Sequence, residues 1–367
     1  MTKARGLADL GNVYSDGALS NRNLIINGAM QVAQRGTSST AQGYNTVDRF
    51  KATSDGTMVA AVVTQSQDAT GPQGFSNSCK VSVGTPETVT NLDYYYVSQC
   101  IEAQNLQHLN FGLPSAEGIT LSFWVRSSVT GTYTVNLYRQ DATRCFPKTY
   151  TVNSADVWEK KTIIINGDTV GQIVNDSGRG IEIYWTLSAG SNYTTGTDGV
   201  WSAYLGTNFS ANHAANVIGT ASATWQITGV QLEVGDTATP FEHRSFGQEL
   251  ALCQRYYERS YDYGTASGTA TGNGGATFVC NNYSSGQVLY AGQMRFVVAK
   301  RAVPTFSFWS HTGVAAKWFE GVAGFAEAIH NPPSITWTGH TGVQFFMATV
   351  GANSNTMYGH WAADAEL

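Results

Sequence analysis

Ile119-Thr120-Leu121-Ser122-Phe123-Trp124-Val125-Arg126 alternates apolar and polar side chains, which places Ile119, Leu121, Phe123 and Val125 on one side of an extended chain. Alternation with period two buries one side of a strand and leaves the other in water. After a turn at Thr130-Gly131, Tyr133, Val135 and Leu137 share a face in their turn, so the two runs predict a hairpin. Trp158 to Ile165 and Ile181 to Leu187 repeat the theme between connections that carry Gly, Asn and Asp. In Trp225-Gln226-Ile227-Thr228-Gly229-Val230-Gln231-Leu232-Glu233-Val234 the apolar set sits at 225 and 227, then shifts phase to 230, 232 and 234. A β-bulge at Gly229 accounts for the shift.

Strands at this spacing, with no helical stretches between them, argue for two antiparallel sheets packed face to face rather than a parallel α/β sheet. The reading is an all-β chain whose residues 25–244 form a jelly-roll β-sandwich, a size one all-β domain can reach. Before it, residues 1–24 hold only isolated Leu7, Leu10, Val13, Tyr14 and Leu19 among glycines and polar residues. Such a segment cannot fold alone; it is either a flexible tail or an arm that orders against a neighbouring subunit or another protein. After the sandwich, Ser245 with Gln248 three residues on is a capping-box signature, and Phe246, Leu250, Cys253 and Tyr257 fall at helical spacing. A helix over 246–258 follows, within a connector at 245–263. Residues 264–275 are too poor in large apolar groups to hold a core and read as a loop or linker. Short strands at 276–280, 287–298, 304–309 and 343–350 then make residues 264–367 a second, smaller β domain.

The composition agrees. Of 367 residues only 13% are charged, about half the share of roughly 25% in an average soluble protein. Eighteen Tyr, 16 Phe and 9 Trp supply side chains suited to a pleated surface, and 39 Gly supply turns. A net charge of -5 without a Lys/Arg cluster argues against a binder of duplex nucleic acid, which needs a basic stripe to displace counterions. No apolar run of about 18 residues marks a membrane span, and no charged-then-apolar leader opens the chain. The expectation is a soluble protein not exported by the general secretory route. Cys79, Cys100, Cys145, Cys253 and Cys280 are scattered, odd in number and free of CxxC spacing, so they read as reduced, buried small hydrophobes.

Local signals of catalysis are missing: no GxSxG, HExxH, GxxxxGK[ST] or strand-borne GxGxxG occurs. None of the seven histidines pairs with another or with Cys at metal-ligand spacing. The reading therefore assigns no catalytic residue, no metal and no cofactor, and expects no enzyme. Two facing carboxylates of a glycosidase would leave no local trace, so a depolymerase stays as a third reading. The aromatics point elsewhere. A Trp or Tyr ring lying flat can stack on a sugar while amides and carboxylates bond its hydroxyls. Trp158, Trp185 and Trp225 lie inside strand patterns and read as core. Trp201 and Tyr204, after the turn-like residues 194–199, and Trp309, Trp318 and Trp337 near the C-terminus are the candidate ligand-binding residues.

Several stretches resemble tail-fibre and related structural proteins of tailed bacteriophages. They are Ser20 to Thr37 (Ser-Asn-Arg-Asn-Leu-Ile-Ile-Asn-Gly-Ala-Met-Gln-Val-Ala-Gln-Arg-Gly-Thr), Val47-Asp48-Arg49-Phe50, Ser122 to Ser128, Trp158-Glu159-Lys160-Lys161, Ile227 to Gly235, Ala238 to Arg244, and Glu249 to Tyr257. The ending His360 to Leu367 is similar to the same proteins. The resemblance implies a jelly roll akin to carbohydrate-binding modules, carried on a virion appendage as a homotrimer. It also implies attachment to other virion proteins through residues 1–24 and contact with host cell-surface polysaccharide. Assembly in the host cytoplasm would fit the unpaired thiols. Because the shared motifs read as core and turn elements, the resemblance assigns no binding residue. A capsid decoration or cement protein is the alternative within the same family of uses.

Overall fold

A computed structural model describes residues 21–58, 61–279, 289–321, 328–330, 333–347 and 356–367. Residues 1–20 of the expected arm, and Cys280, lie outside the described residues. The chain divides into two compact units. Of the described residues, the first comprises those up to Gln31, Thr40–Gly43 and those within Phe50–Ser245, and the second Val32–Ser39, Tyr44–Arg49 and those within Phe246–Leu367.

The first unit is a jelly-roll β-sandwich. Its strands are β1 (Lys51–Asp55), β2 (Val62–Asp68), β3 (Ser78–Thr85), β4 (Tyr94–Glu102), β5 (Ile119–Ser127), β6 (Gly131–Arg139), β7 (Arg144–Val152), β8 (Glu159–Ile165), β9 (Arg179–Ala189), β10 (Ser202–Ala203) and β11 (Thr224–Val234). One sheet runs β2-β3-β11-β5-β8 and the other β10-β7-β6-β9-β4-β1. Neighbouring strands are antiparallel throughout. The hairpin expected at Thr130-Gly131 joins β5, which belongs to one sheet, to β6, which belongs to the other, so the turn is a corner of the sandwich and not a two-stranded ladder.

Alternation decides what faces inward. Leu121, Phe123 and Val125 of β5, Trp225 and Ile227 of β11, and Ile181, Ile183 and Trp185 of β9 are fully buried, filling the space between the sheets. The Phe123 ring meets Tyr150 edge-on at 5.2 Å and Trp185 at 6.1 Å. Full burial of each such side chain contributes about 1.5–3 kcal/mol relative to exposure, which is why the apolar phase, not the polar one, sets the register of every strand.

Gly229 interrupts β11 where the sequence places a bulge: the register against β5 slips between Thr228 and Gln231. Gly229 adopts φ +60°, and a Cβ there would stand 2.7 Å from Phe75 Cζ and 3.0 Å from Trp124 Cδ1. Left-handed backbone and crowding together are expected to make Gly229→Ala cost about 1–3 kcal/mol. Equilibrium urea unfolding of the two proteins measures this, and a change within about 0.5 kcal/mol would show the bulge to be tolerant.

The second unit contains helix α1 (Phe246–Gln254) and strands β12 (Tyr257–Arg259), β13 (Ala276–Val279), β14 (Leu289–Arg295), β15 (Thr305–Trp309), β16 (Trp318–Gly321), β17 (Ala328–His330), β18 (Ser334–Thr336), β19 (Gly342–Met347) and β20 (Thr356–Asp364). β20 is the organising strand: β12, β13, β15 and β16 all pair with it. The helix is shorter than its sequence pattern suggests, because Tyr257 pairs with Asp364 and draws the chain into β12. Cys253 and Tyr257 of the expected apolar stripe are buried, whereas Phe246 is 42% exposed.

Unit boundaries also run differently from a sandwich continuous over 25–244 followed by a connector and a separate distal domain. Val32–Ser39 and Tyr44–Arg49 belong with the second unit, as does the stretch 246–263. Arg35 pairs with Asp364 at 2.9 Å and Glu366 at 3.3 Å, and its guanidinium lies 3.7 Å from the Tyr257 ring centroid. Arg49 pairs with Glu366 and lies 3.4 Å over Tyr256. Cys79, Cys100, Cys145 and Cys253 are reduced and buried. No helix among the described residues is long and apolar enough to cross a membrane.

Candidate functional site: a tyrosine band on the outer face of a sheet

The strand phase that buries Ile181, Ile183 and Trp185 turns Glu182, Tyr184 and Thr186 to the opposite, outer face of the second sheet. By the same alternation β4 presents Tyr94, Tyr96 and Ser98 there, and β6 presents Thr134, Asn136 and Tyr138. β1 presents Lys51, Thr53 and Asp55, registered against Ser98, Tyr96 and Tyr94.

Residues 190–217 return across part of this face. Their attachment is polar: Asn136 Nδ2 donates to Phe209 O at 2.8 Å, Thr134 Oγ1 to Ala211 O at 2.9 Å, and the Thr186 and Ser210 hydroxyls meet at 2.8 Å. The segment thereby seats Phe209, 5% exposed, among tyrosines. Its ring lies 4.9 Å from Tyr94, 5.0 Å from Tyr184, 5.9 Å from Tyr96 and 6.4 Å from both Tyr193 and Tyr204. Tyr138 extends the band, 5.2 Å from Tyr204. Tyr94, Tyr96, Tyr138, Tyr193 and Tyr204 are half-buried, each ring supported by the cluster with part of it in solvent.

Beside the band lies a closed charge cluster. Glu182, fully buried, takes Lys51 Nζ at 3.0 Å, Arg179 Nη1 at 2.8 Å, the Ser98 hydroxyl at 2.8 Å and the Tyr184 hydroxyl at 2.6 Å. Burial opposes its charge, but Lys51, Arg179 and the Tyr184 hydroxyl together hold the carboxyl below the usual carboxylate range. Burial and then the Glu182 charge push the Tyr184 hydroxyl well up, so it remains a donor. The Tyr94 hydroxyl donates to Asp55 Oδ2 at 2.9 Å.

One histidine latches the returning segment. The Thr134 N–H donates to His213 Nδ1 at 3.2 Å, which leaves Nε2 to carry the proton and donate to Ala215 O at 2.7 Å. Burial holds this imidazole down at about 4. Protonation is thus favoured in the unfolded chain, and stability present above about pH 6.5 is lost as pH falls toward 4. The loss amounts to about 3 kcal/mol. His213→Gln is expected to flatten the pH dependence of the urea midpoint across that window; an unchanged slope would exclude His213 as its source.

Of the residues singled out in the sequence, Tyr204 belongs to the band. Trp201 does not: its indole N–H donates to Asn166 O at 2.7 Å, and its ring packs against Phe146 at 5.3 Å and Phe111 at 5.8 Å. Trp318 is corrected outright. It is 0% exposed in the core of the second unit, where no sugar can reach it. Trp309 is half-buried against Tyr261 at 6.0 Å, and Trp337 stands 80% exposed at φ 45°. The sequence reading missed Tyr94, Tyr96, Tyr138, Tyr184 and Tyr193. The signal for Tyr184 was the outward phase of Ile181 to Leu187. Among the described residues no group of three or more His, Cys, Asp or Glu is placed to hold a metal.

No protein-family model and no curated protein sequence matches the chain. Solved structures similar to it include the enzymatically active domain of tailspike protein 4 of bacteriophage CBA120, at 13% identity and TM-score 0.32. That match covers 58% of this chain and 22% of the tailspike, so the chain spans under a quarter of its length. The family 11 carbohydrate-binding module of the Clostridium thermocellum cellulase Lic26A-Cel5E matches at 12% identity and TM-score 0.29, over 57% of this chain and 98% of the module. The module TmCBM61, solved with β-1,4-galactotriose, matches at 11% and 0.28, over 59% and 100%. At these identities and TM-scores none of the three says whether the present chain binds a ligand.

Proposed function

We propose that the sandwich is a non-catalytic glycan-binding module, and that the chain serves a bacteriophage virion as a tail fibre or receptor-binding protein. The tyrosine band carries the first part. Half-exposed rings held about 5–6 Å apart by their own cluster offer apolar surface to the C–H faces of sugars, with hydroxyls at the rim. Because the rings are already fixed against Phe209 and one another, little side-chain entropy is lost on binding. Glu182, held ionised by four donors, is unsuited to give a proton to a leaving group.

Binding of the full chain to an array of host-type and reference oligosaccharides, followed by calorimetry on the best ligand, tests the module. Tyr96→Ala and Tyr138→Ala are each expected to weaken binding about tenfold or more with the circular dichroism spectrum unchanged. Affinity unaltered in both would place the site elsewhere. The virion setting, with trimeric assembly and attachment through residues 1–24, is supported by the sequence resemblance in residues 20–37, 47–50 and 227–235. Immunogold labelling of particles tests it: label at the tail supports a fibre, and label on the head supports capsid decoration instead.

A further inference from the structure

We infer that the tyrosine band takes an uncharged, hydroxyl-rich glycan chain and rejects uronic-acid, sialylated or phosphorylated ones; the inference rests on the band being the glycan site. What carries it is the way the charges bordering the rings are used. Lys51 and Arg179 both close on Glu182, at 3.0 and 2.8 Å, and Asp55 accepts from the Tyr94 hydroxyl at 2.9 Å. Glu102, a further carboxylate on the outer phase of β4, is buried and accepts from Gln104 Nε2 at 2.6 Å. The two cations named here are thus already engaged by a buried carboxylate.

An anionic sugar that drew Lys51 or Arg179 toward itself would weaken their hold on Glu182, which is 0% exposed. Removing one partner of a buried ion pair leaves an uncompensated buried charge and is strongly unfavourable. The incoming anion would also meet Asp55 at the rim, a like-charge contact that works against wrong partners. An uncharged chain disturbs none of this. The hydroxyls of Tyr96, Tyr138 and Tyr204 have no hydrogen-bond partner among the described residues. Burial pushes the Tyr96 and Tyr204 hydroxyls up, so they stay protonated and can both donate to and accept from sugar hydroxyls.

The experiment presents gluco- and galacto-oligosaccharides, each beside its uronic-acid counterpart, to the full chain at about 50 mM and about 500 mM salt. The neutral member is expected to bind at least about tenfold tighter, with the same affinity at both salt concentrations. Tighter binding of the acidic member, weakened by salt, overturns the inference while leaving the band as the site if Tyr96→Ala still weakens it. Binding indifferent to Tyr96→Ala and Tyr138→Ala, or no binding to any member, instead overturns the band reading and this inference with it. Asp55→Lys, a change at the exposed edge, is expected to raise affinity for the acidic member several-fold; no gain would contradict the electrostatic cause.

Discussion

Asp168→Ala is expected to destabilise the sandwich by about 3–5 kcal/mol. Arg139 has no side-chain exposure and Asp168 has 2%. The guanidinium donates to Asp168 Oδ2, to Val170 O at 3.0 Å and to Gly171 O, while Arg144 reaches the same carboxylate at 2.8 and 3.1 Å. Phe111 and Trp201 lie 5.1 and 5.8 Å from the Arg139 guanidinium. Burial already pulls the Arg139 pKa down from its ordinary value against the favourable field of Asp168. Taking the carboxylate away leaves a cation among ring faces and carbonyls with no counter-charge within hydrogen-bond reach except through rearrangement. Urea unfolding measures the loss; less than about 1 kcal/mol would mean that the pair behaves as a surface salt bridge. Trp201 therefore contributes to holding the sandwich, which is the reason its indole N–H is spent on Asn166 O.

Trp318→Ala is expected to cost about 3–5 kcal/mol, the range for truncating a buried tryptophan. Its ring sits within the cluster of Phe296, Phe308, Val343, Phe345, Trp361 and Ala363, and its indole N–H donates to His360 O at 2.9 Å. The contact with β20 is so close that a Cβ on Gly359 would stand 2.4 Å from Trp318 Cδ1. Trp337→Ala, by contrast, is expected to change stability by no more than about 0.5 kcal/mol. Thermal unfolding of the two variants separates the cases, and equal effects would contradict the difference in burial.

These two tryptophans show where the sequence stops being legible. Trp185 and Trp225 lie in strands whose neighbours alternate, so the phase of the pattern tells that they point inward, and both are fully buried. Trp318 and Trp337 sit near short, irregular strands without a sustained period, and residue type alone cannot distinguish a core ring from an exposed one. The bulge at Gly229 was legible because a phase shift and a glycine coincide. The band was legible only in Tyr204. Its other members occupy the polar phase of well-formed strands, where a tyrosine is ordinary, and what gathers them is Phe209 on a segment that returns from elsewhere. The membership of Val32–Ser39 and Tyr44–Arg49 in the second unit depends on partners such as Asp364, 329 residues from Arg35; no local pattern records a pairing of that span.

Whether the outer-face tyrosines hold a glycan is decided by a crystal structure of the full chain with the tightest-binding oligosaccharide of the array. Sugar rings are expected within about 4 Å of Tyr96, Tyr138 or Tyr204. Ordered sugar seated only on Trp337 or Trp309, with the tyrosine band empty, would contradict it.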